Sequence, residues 1–550
     1  MKAALLGGTG SDREFDNSQA LTKNWYINKS NGKSGVVLYP TPGLTQFSDI
    51  GTGPIRASIE YGDVYYMVSG NELYEVSAAG SGVLRGTLST SIGRISMSHN
   101  GANNGKQIII ADGTQGYIWD TEFNTFAIIE LKKSGTADTN TLNKLEDSGG
   151  GFLFATSGIV AGMIIYNTTD GTNGIVSAID SDTILSIVNA AGTALDLFPL
   201  GTEAYEVGDG DYPSTATHVD FFDGRFVAND PTTSGRFFAS ASYQGYNWNS
   251  LEFATAERSP DELQALVVSN RIMWLVGTHT AEPWYNSGAA DFPYEPIQSG
   301  FSQWGTIAPY SLLEIAGMVF WLSQNDEGQG MVVATQGNTP QAISTGEIAV
   351  EISKLSTITD AYAWAYQYQQ HSFYVLNFPT AEKTFVYDIA MQEWHEWSSK
   401  TIGYHRSASH TFVYGKHLIG DPVTGKIYQL DWDAYTDNGD AITRTRRSLS
   451  VTGDDKEVIH DGVWIDVKEG CGTVANPSPQ LQLRWRDSNG VWSNYHPRSM
   501  GSQGERGIRC IWRNLGRSFD RVYEIQTSEP VNAVIIDAYA KIRANKREFG

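Results

Sequence analysis

Leu6-Gly7-Gly8-Thr9-Gly10 is the first stretch whose residue types could do chemistry, because glycine-rich loops cradle phosphates with bare backbone N–H groups. A dinucleotide loop also needs a strand before it and a helix after it, and Ser11-Asp12-Arg13-Glu14 opens no helix of a βαβ unit. The segment therefore reads as a chain end. Residues 431–440, Asp-Trp-Asp-Ala-Tyr-Thr-Asp-Asn-Gly-Asp, have the carboxylate density that calcium takes. Tyr435 stands in the place of the third ligand, however, and Gly439 comes too late for an EF-hand turn. A retaining glycosidase needs two carboxylates about 5 Å apart across a sugar pocket. Asp261 with Glu262 and Glu393 with Glu396 are the candidate pairs, and both read more simply as solvated loop charges. The ten histidines form no HExxH array, and no GxSxG or Walker loop occurs. Cys471 and Cys510 have no CxxC partner, so they are expected to be buried thiols rather than a zinc site or a disulfide framework. No enzymatic activity, metal or cofactor is expected.

Trp485-Arg486-Asp487-Ser488-Asn489-Gly490-Val491-Trp492 resembles an Asp-box, a hairpin turn found in sialidases and in many non-enzymatic propellers and sandwiches. Its expected work is structural. Asp487 would cap N–H groups of the turn, Gly490 would turn the chain and Trp492 would pack under the hairpin.

The elements around these residues read as short strands with almost no helical period. One unit, a turn followed by an apolar strand, recurs with its turns at 62, 105, 224, 270, 317, 371 and 415. The separations are 43, 119, 46, 47, 54 and 44 residues. A period in the forties suits the four-stranded blade of a β-propeller. A second pattern, in Gly116-Tyr117-Ile118-Trp119-Asp120, Thr384-Phe385-Val386-Tyr387-Asp388 and 425–431, would place an aromatic between blades and a polar residue at the outer strand. The expected fold is all-β, with a propeller of six or seven blades at 46–130 and 216–440. An N-terminal segment at 1–45 precedes it. The gap of 119 residues marks an inserted small β-barrel-like domain at 131–215, read as separable. Where the period stops, 441–545 has the size of a C-terminal β-sandwich.

Charge divides along the same lines. The chain carries a net −22, yet residues 441–550 hold 17 Lys and Arg against 13 Asp and Glu. An acidic body cannot hold nucleic acid by general phosphate neutralisation, but it lets DNA slide past without sticking. Arg444, Arg446, Arg447, Arg513 and Arg517 of the basic end are the candidate partner-interface residues, aimed at neighbouring subunits or acidic proteins. No run of 18 apolar residues occurs, and the apolar stretch before Gly7 is too short for a secretory signal, so no membrane anchor is expected.

Taken in order, several motifs resemble those of the packaged-DNA stabilisation proteins, or tail hub and nozzle proteins, of short-tailed (podovirus) bacteriophages. They are 17–19 with Asn24-Trp25-Tyr26, Leu38-Tyr39-Pro40-Thr41-Pro42-Gly43-Leu44, and Phe222-Asp223-Gly224-Arg225-Phe226-Val227. Residues 256–261, Trp274-Leu275-Val276-Gly277, Glu282-Pro283-Trp284-Tyr285, Ala308-Pro309-Tyr310-Ser311, the Asp-box and 512–523 complete the series. Ser488-Asn489 departs from the Asp-Gly common in that box. The resemblance implies a virion tail protein assembled in the bacterial host cytoplasm. Copies, six by this reading, would form a ring below the portal and its head-to-tail adaptor, extend the DNA channel and help retain the genome. Tail fibres or tailspikes and a needle or plug would attach nearby. A glycan-degrading propeller enzyme and a carbohydrate-binding module remain as alternatives, and both require an exposed cleft.

Overall fold

The computed structural model describes residues 2–544 apart from 8, 10–19, 30–34, 102–105, 130–131, 190, 209–210, 234, 257–260, 290–291, 326–327, 453–455, 469 and 488–489. The expected turn at 105 and the motif residues at 17–19, 257–260 and 488–489 lie outside the described residues.

Each of the other six predicted turns belongs to the hairpin that joins the first two strands of a four-stranded blade, three of these blades being parts of larger sheets. The paired positive φ angles of Gly62 and Asp63, Asp223 and Gly224, Asn270 and Arg271, Ala316 and Gly317, and Tyr414 and Gly415 are those of type I′ turns, whose twist matches that of the flanking strands. In the sixth sheet the turn residues are Gln369 and Gln370, so the expected position at 371 is one residue late and His371 already opens the next strand.

Why the second strands carry unbroken apolar runs follows from stacking. In Val64–Ser69, Tyr65 and Met67 face one cluster while Tyr66 and Val68 face another, because a sheet lies against each side. Among the described residues seven such blades stand in a ring: 55–87, 96–128, 219–255, 263–296, 313–342, 362–397 and 409–431. Their inner strands, from Ile55–Tyr61 round to Ser409–Val413, each touch the next, and the last touches the first. The third strands of blades two and six end on capping carboxylates. Asp120 accepts from the N–H groups of Glu122 and Phe123, and Asp388 from those of Ala390 and Met391.

The fourth strand of the seventh blade comes from the beginning of the chain. Gly43–Asp49 pairs antiparallel with Lys426–Asp431, Leu44 opposite Leu430. Only glycine fits at its start, since a Cβ on Gly43 would stand 2.6 Å from the Ala434 oxygen. The 1–45 segment is thus woven into the rest of the fold. Trp25–Lys29 and Val36–Pro40 join Val458–Val467, Arg509–Arg513 and Ile535–Ala544 in one sheet. Leu21–Lys23 links the outer strand of blade six to a second sheet of Arg444–Arg447, Asp520–Thr527, Gln480–Asp487 and His496–Ser499. Trp25, Leu38, Ile465 and Ala540 of one sheet and Leu483 and Ile525 of the other share one core, which makes the pair a sandwich. Both thiols are free and buried there, pushed up by burial to about 11 for Cys471 and about 12 for Cys510.

Between blades two and three, a six-stranded sheet curls until its edges meet, where the Asp138 N–H donates to the Glu146 oxygen at 2.7 Å. Its apolar interior does not stop at its own boundary. Leu145, Ile165, Leu185 and Val207 belong to the same cluster as Ile109 and Ile118 of blade two and Phe226 and Trp248 of blade three. The insert is therefore packed into the ring rather than tethered to it.

Candidate assembly surfaces

The strand Arg444–Arg447 was expected to face partners, and it faces inward. Arg444 is fully buried, and none of its three guanidinium nitrogens has a hydrogen-bond partner; burial lowers its pKa to about 10. Arg446 is buried against the N-terminal segment, donating from Nε to the Leu5 oxygen at 2.8 Å and from Nη1 to Thr22 Oγ1 at 2.9 Å. Burial brings it down to about 9. Arg447 donates twice to Glu524 Oε2, at 3.0 and 2.8 Å, while Arg484 and the Tyr495 hydroxyl reach Oε1 at 2.7 and 3.0 Å. Arg446 and Arg447 hold the chain's own strands together. A strand of Arg-Thr-Arg-Arg looks exposed, but here the strand Leu21–Lys23, with Thr22 424 residues before Arg446, lies against it. Arg513 and Arg517 are exposed, Arg517 with Glu457 at 3.4 Å.

In the Asp-box, Asp487 binds the buried Arg521 bidentately, at 2.5 and 3.0 Å, in addition to any role at the turn. The Gly490 N–H donates to the Asp487 oxygen at 2.9 Å and closes that turn. Trp492 is half-buried and packs against guanidinium groups, with Arg484 4.5 Å, Arg486 5.2 Å and Arg447 5.3 Å from its ring centroid. Sequence reasoning missed the Arg484–Glu524–Arg447 network. The alternation of Arg484 and Arg486 about Trp485 was the available signal.

Neither carboxylate pair faces a shared pocket. Asp261 accepts from the N–H groups of Thr278, His279 and Thr280. Glu396 pairs with Lys383 at 3.2 Å and Glu393 with Lys29 at 3.7 Å. The acidic loop after Asp431 is stitched into the fold, Asp437 pairing with Asp440 and with Leu44. Among the described residues no group of three or more His, Cys, Asp or Glu is placed to hold a metal ion. The cleft of about 330 Å³ between the insert and blades two and three is lined by Gln107, Asp120, Asn189 and Tyr243. Asp120 is already engaged there as the turn cap and by Gln107 at 3.1 Å.

The propeller axis is filled at one end. Arg94, just before blade two, lies 4.1 Å from the ring centroid of Tyr362 in blade six, and the Tyr310 hydroxyl donates to the Arg94 oxygen at 3.0 Å. Such contacts between non-adjacent blades span the axis, which His218 closes further by packing 4.8 Å from Tyr310. No helix of the described residues is long and apolar enough to cross a membrane.

Comparison with known proteins bears on these surfaces. The chain is similar to the N-terminal domain of Nup159, with 8% identity over 75% of this chain and 99% of that one at a TM-score of 0.36. It is similar to Saccharomyces cerevisiae Sqt1 with 8% identity over 70% and 99% at 0.34, and to Porphyromonas gingivalis dipeptidyl peptidase 4 with 10% over 81% and 65% at 0.28. Scores this low carry no argument. No curated protein matches the chain. The phage-stabilisation family model, described as bacteriophage P22 Gp10, beta-propeller, matches residues 1–180 and 161–435, which include the N-terminal strands, the insert and the whole ring but not the strands from 436 onward. With most of its length matched and a ring of blades in its structure, the chain belongs to this family of β-propeller phage structural proteins concerned with DNA stabilisation.

Proposed function

We propose that the chain is the hub, or nozzle, subunit of a short phage tail. Copies, six in this reading, form a ring below the portal and its adaptor, extend the DNA channel, help retain packaged DNA and carry fibres or spikes and a plug. The virion tail is its location, after assembly in the host cytoplasm. The observation that carries the reading is the filled axis: with Arg94, Tyr310 and Tyr362 in contact across it, one propeller is no conduit, and a channel for DNA has to run between copies. The acidic body supports passage without adhesion, because repulsion between carboxylates and phosphates removes the counter-cation that each close contact needs.

Negative-stain imaging and native mass spectrometry of the purified chain with its adaptor complex test this. A hollow ring is expected; monomers bound singly to the adaptor sink it. For the enzymatic alternative, the expected result is no cleavage of host surface polysaccharide by the purified chain.

A further inference from the structure

Three blades separate the insert from the sandwich whichever way the ring is followed. The insert leaves between blades two and three, and the sandwich continues outward from the sheet of blade six. The two attachments therefore stand on opposite sides of a seven-bladed circle. Their charges are opposite too. Residues 131–215 hold 3 Lys and no Arg against 11 Asp and Glu, whereas the 441–550 region is net positive.

The exposed ends fit this polarity. Ile175 and Val188 line the cleft against the propeller, so the turn 181–183, at the other ends of their two strands, is the tip remote from it. That tip carries exposed Asp182 and Asp138 with half-buried Glu146, and beside them Leu153, which is 50% exposed. On the sandwich, Val463, Ile465, Cys510, Trp512, Ala538 and Ala540 point into the core. Their neighbours along the same strands form the outward face. Register places Arg513, Gly462 and Lys541 in one row across three strands, and Ile511, Trp464 and Tyr539 in the next. Trp464 and Tyr539 stack at 5.8 Å with their planes 9° apart. Arg513 and Lys541 are exposed, so a cationic row borders an aromatic one.

We propose that copies of this chain join head to tail, the acidic insert tip of one seated on the Trp464–Tyr539 face of the next, with Asp182 and Glu146 opposite Arg513 and Lys541. The inference rests on the ring reading above and specifies its contact. A heterologous contact between opposite sides of a subunit generates a closed ring when its rotation closes, whereas a two-fold contact stops at a dimer. Each copy covers an apolar and charged patch that monomers leave in water.

The test uses two full-length variants, Arg513→Glu with Lys541→Glu, and Glu146→Lys with Asp182→Lys, each followed by native mass spectrometry and negative stain with the adaptor complex. Either variant alone should lose rings, with association at least about tenfold weaker, because like charges then meet. An equimolar mixture should regain them as alternating rings, since each junction again pairs opposite signs; this rescue also shows that both variants fold. Wild-type rings should weaken as salt rises. If both variants form rings as wild type does, or if neither does and the mixture fails to restore them, the contact lies elsewhere while the ring reading stands. If wild type forms no ring with its adaptor, the ring reading itself falls and takes this inference with it.

Discussion

Arg446 donates from Nε to the main-chain oxygen of Leu5 at 2.8 Å, across 441 residues of sequence, while the guanidinium of Arg444 two positions earlier on the same strand makes no hydrogen bond. The two buried cations should therefore respond oppositely to the same replacement. Arg446→Met leaves a main-chain oxygen and the Thr22 hydroxyl without their donor and should lower stability by about 1.5–3 kcal/mol. Arg444→Met removes an unpaired buried charge and should be neutral or stabilising by about 1–4 kcal/mol. Thermal unfolding followed by tryptophan fluorescence measures both, and the reverse order would show that the assignment of partners is wrong.

Gln369 and Gln370 hold φ angles of 46° and 71° in a type I′ hairpin, a conformation that costs an L-residue other than Asn, Asp or Gly about 1–2 kcal/mol. Replacing the pair by Asn-Gly should raise the unfolding midpoint without altering the spectrum of the native protein. The same change made in the other order, Gly-Asn, should gain less at the first position.

Acid should weaken the fold well above the usual carboxylate range. Burial holds His218 and His395 down at about 4 and His405 at about 3. Below about pH 6.5 the unfolded chain takes up these protons and the native one does not. Stability is therefore full above that pH and falls by about 1.4 kcal/mol per pH unit for each histidine until the native value is reached. Asp120, Asp220 and Asp437, raised by burial, act in the opposite direction. Urea midpoints from pH 7 to pH 4 should decline steadily, and a flat profile would contradict the burial of these rings.

Replacing 131–215 by a short linker should not leave a native propeller. Ile109, Ile118, Phe226 and Trp248 would lose the neighbours that complete their cluster. The expected product binds a hydrophobic dye and lacks sharp near-UV dichroism; a cooperative, dye-free propeller would show that the shared core is dispensable.

How far the fold can be read from residues depends on distance along the chain. The hairpins are local, and Tyr61-Gly62-Asp63-Val64 or Phe222-Asp223-Gly224-Arg225 announces its turn through the residues that tolerate positive φ. Gln369-Gln370 carries no such marker, which is why that turn is displaced by one. Nothing near Leu44 indicates that its partner is Leu430, and nothing near Arg446 indicates that Leu5 and Thr22 cover it. Strand alternation alone leaves either face of 444–447 free to be the wet one, and the choice is made by a strand that local sequence cannot see. The exposed Arg513 was legible because Trp512 beside it is plainly a core residue.

Threading the last blade with Gly43–Asp49 also sets a timetable for synthesis. That strand leaves the ribosome about 380 residues before the edge it completes, Lys426–Asp431. At a translation rate of about 5–20 residues per second the wait is roughly 20–80 s. Blades one to six can form during it, but the nascent chain carries an unpaired strand at its leading end throughout, an edge open to pairing with another chain. Until the final blade is made the ring has no lock, and Trp25–Lys29 and Val36–Pro40 wait longer still, since their sheet is completed by Ile535–Ala544.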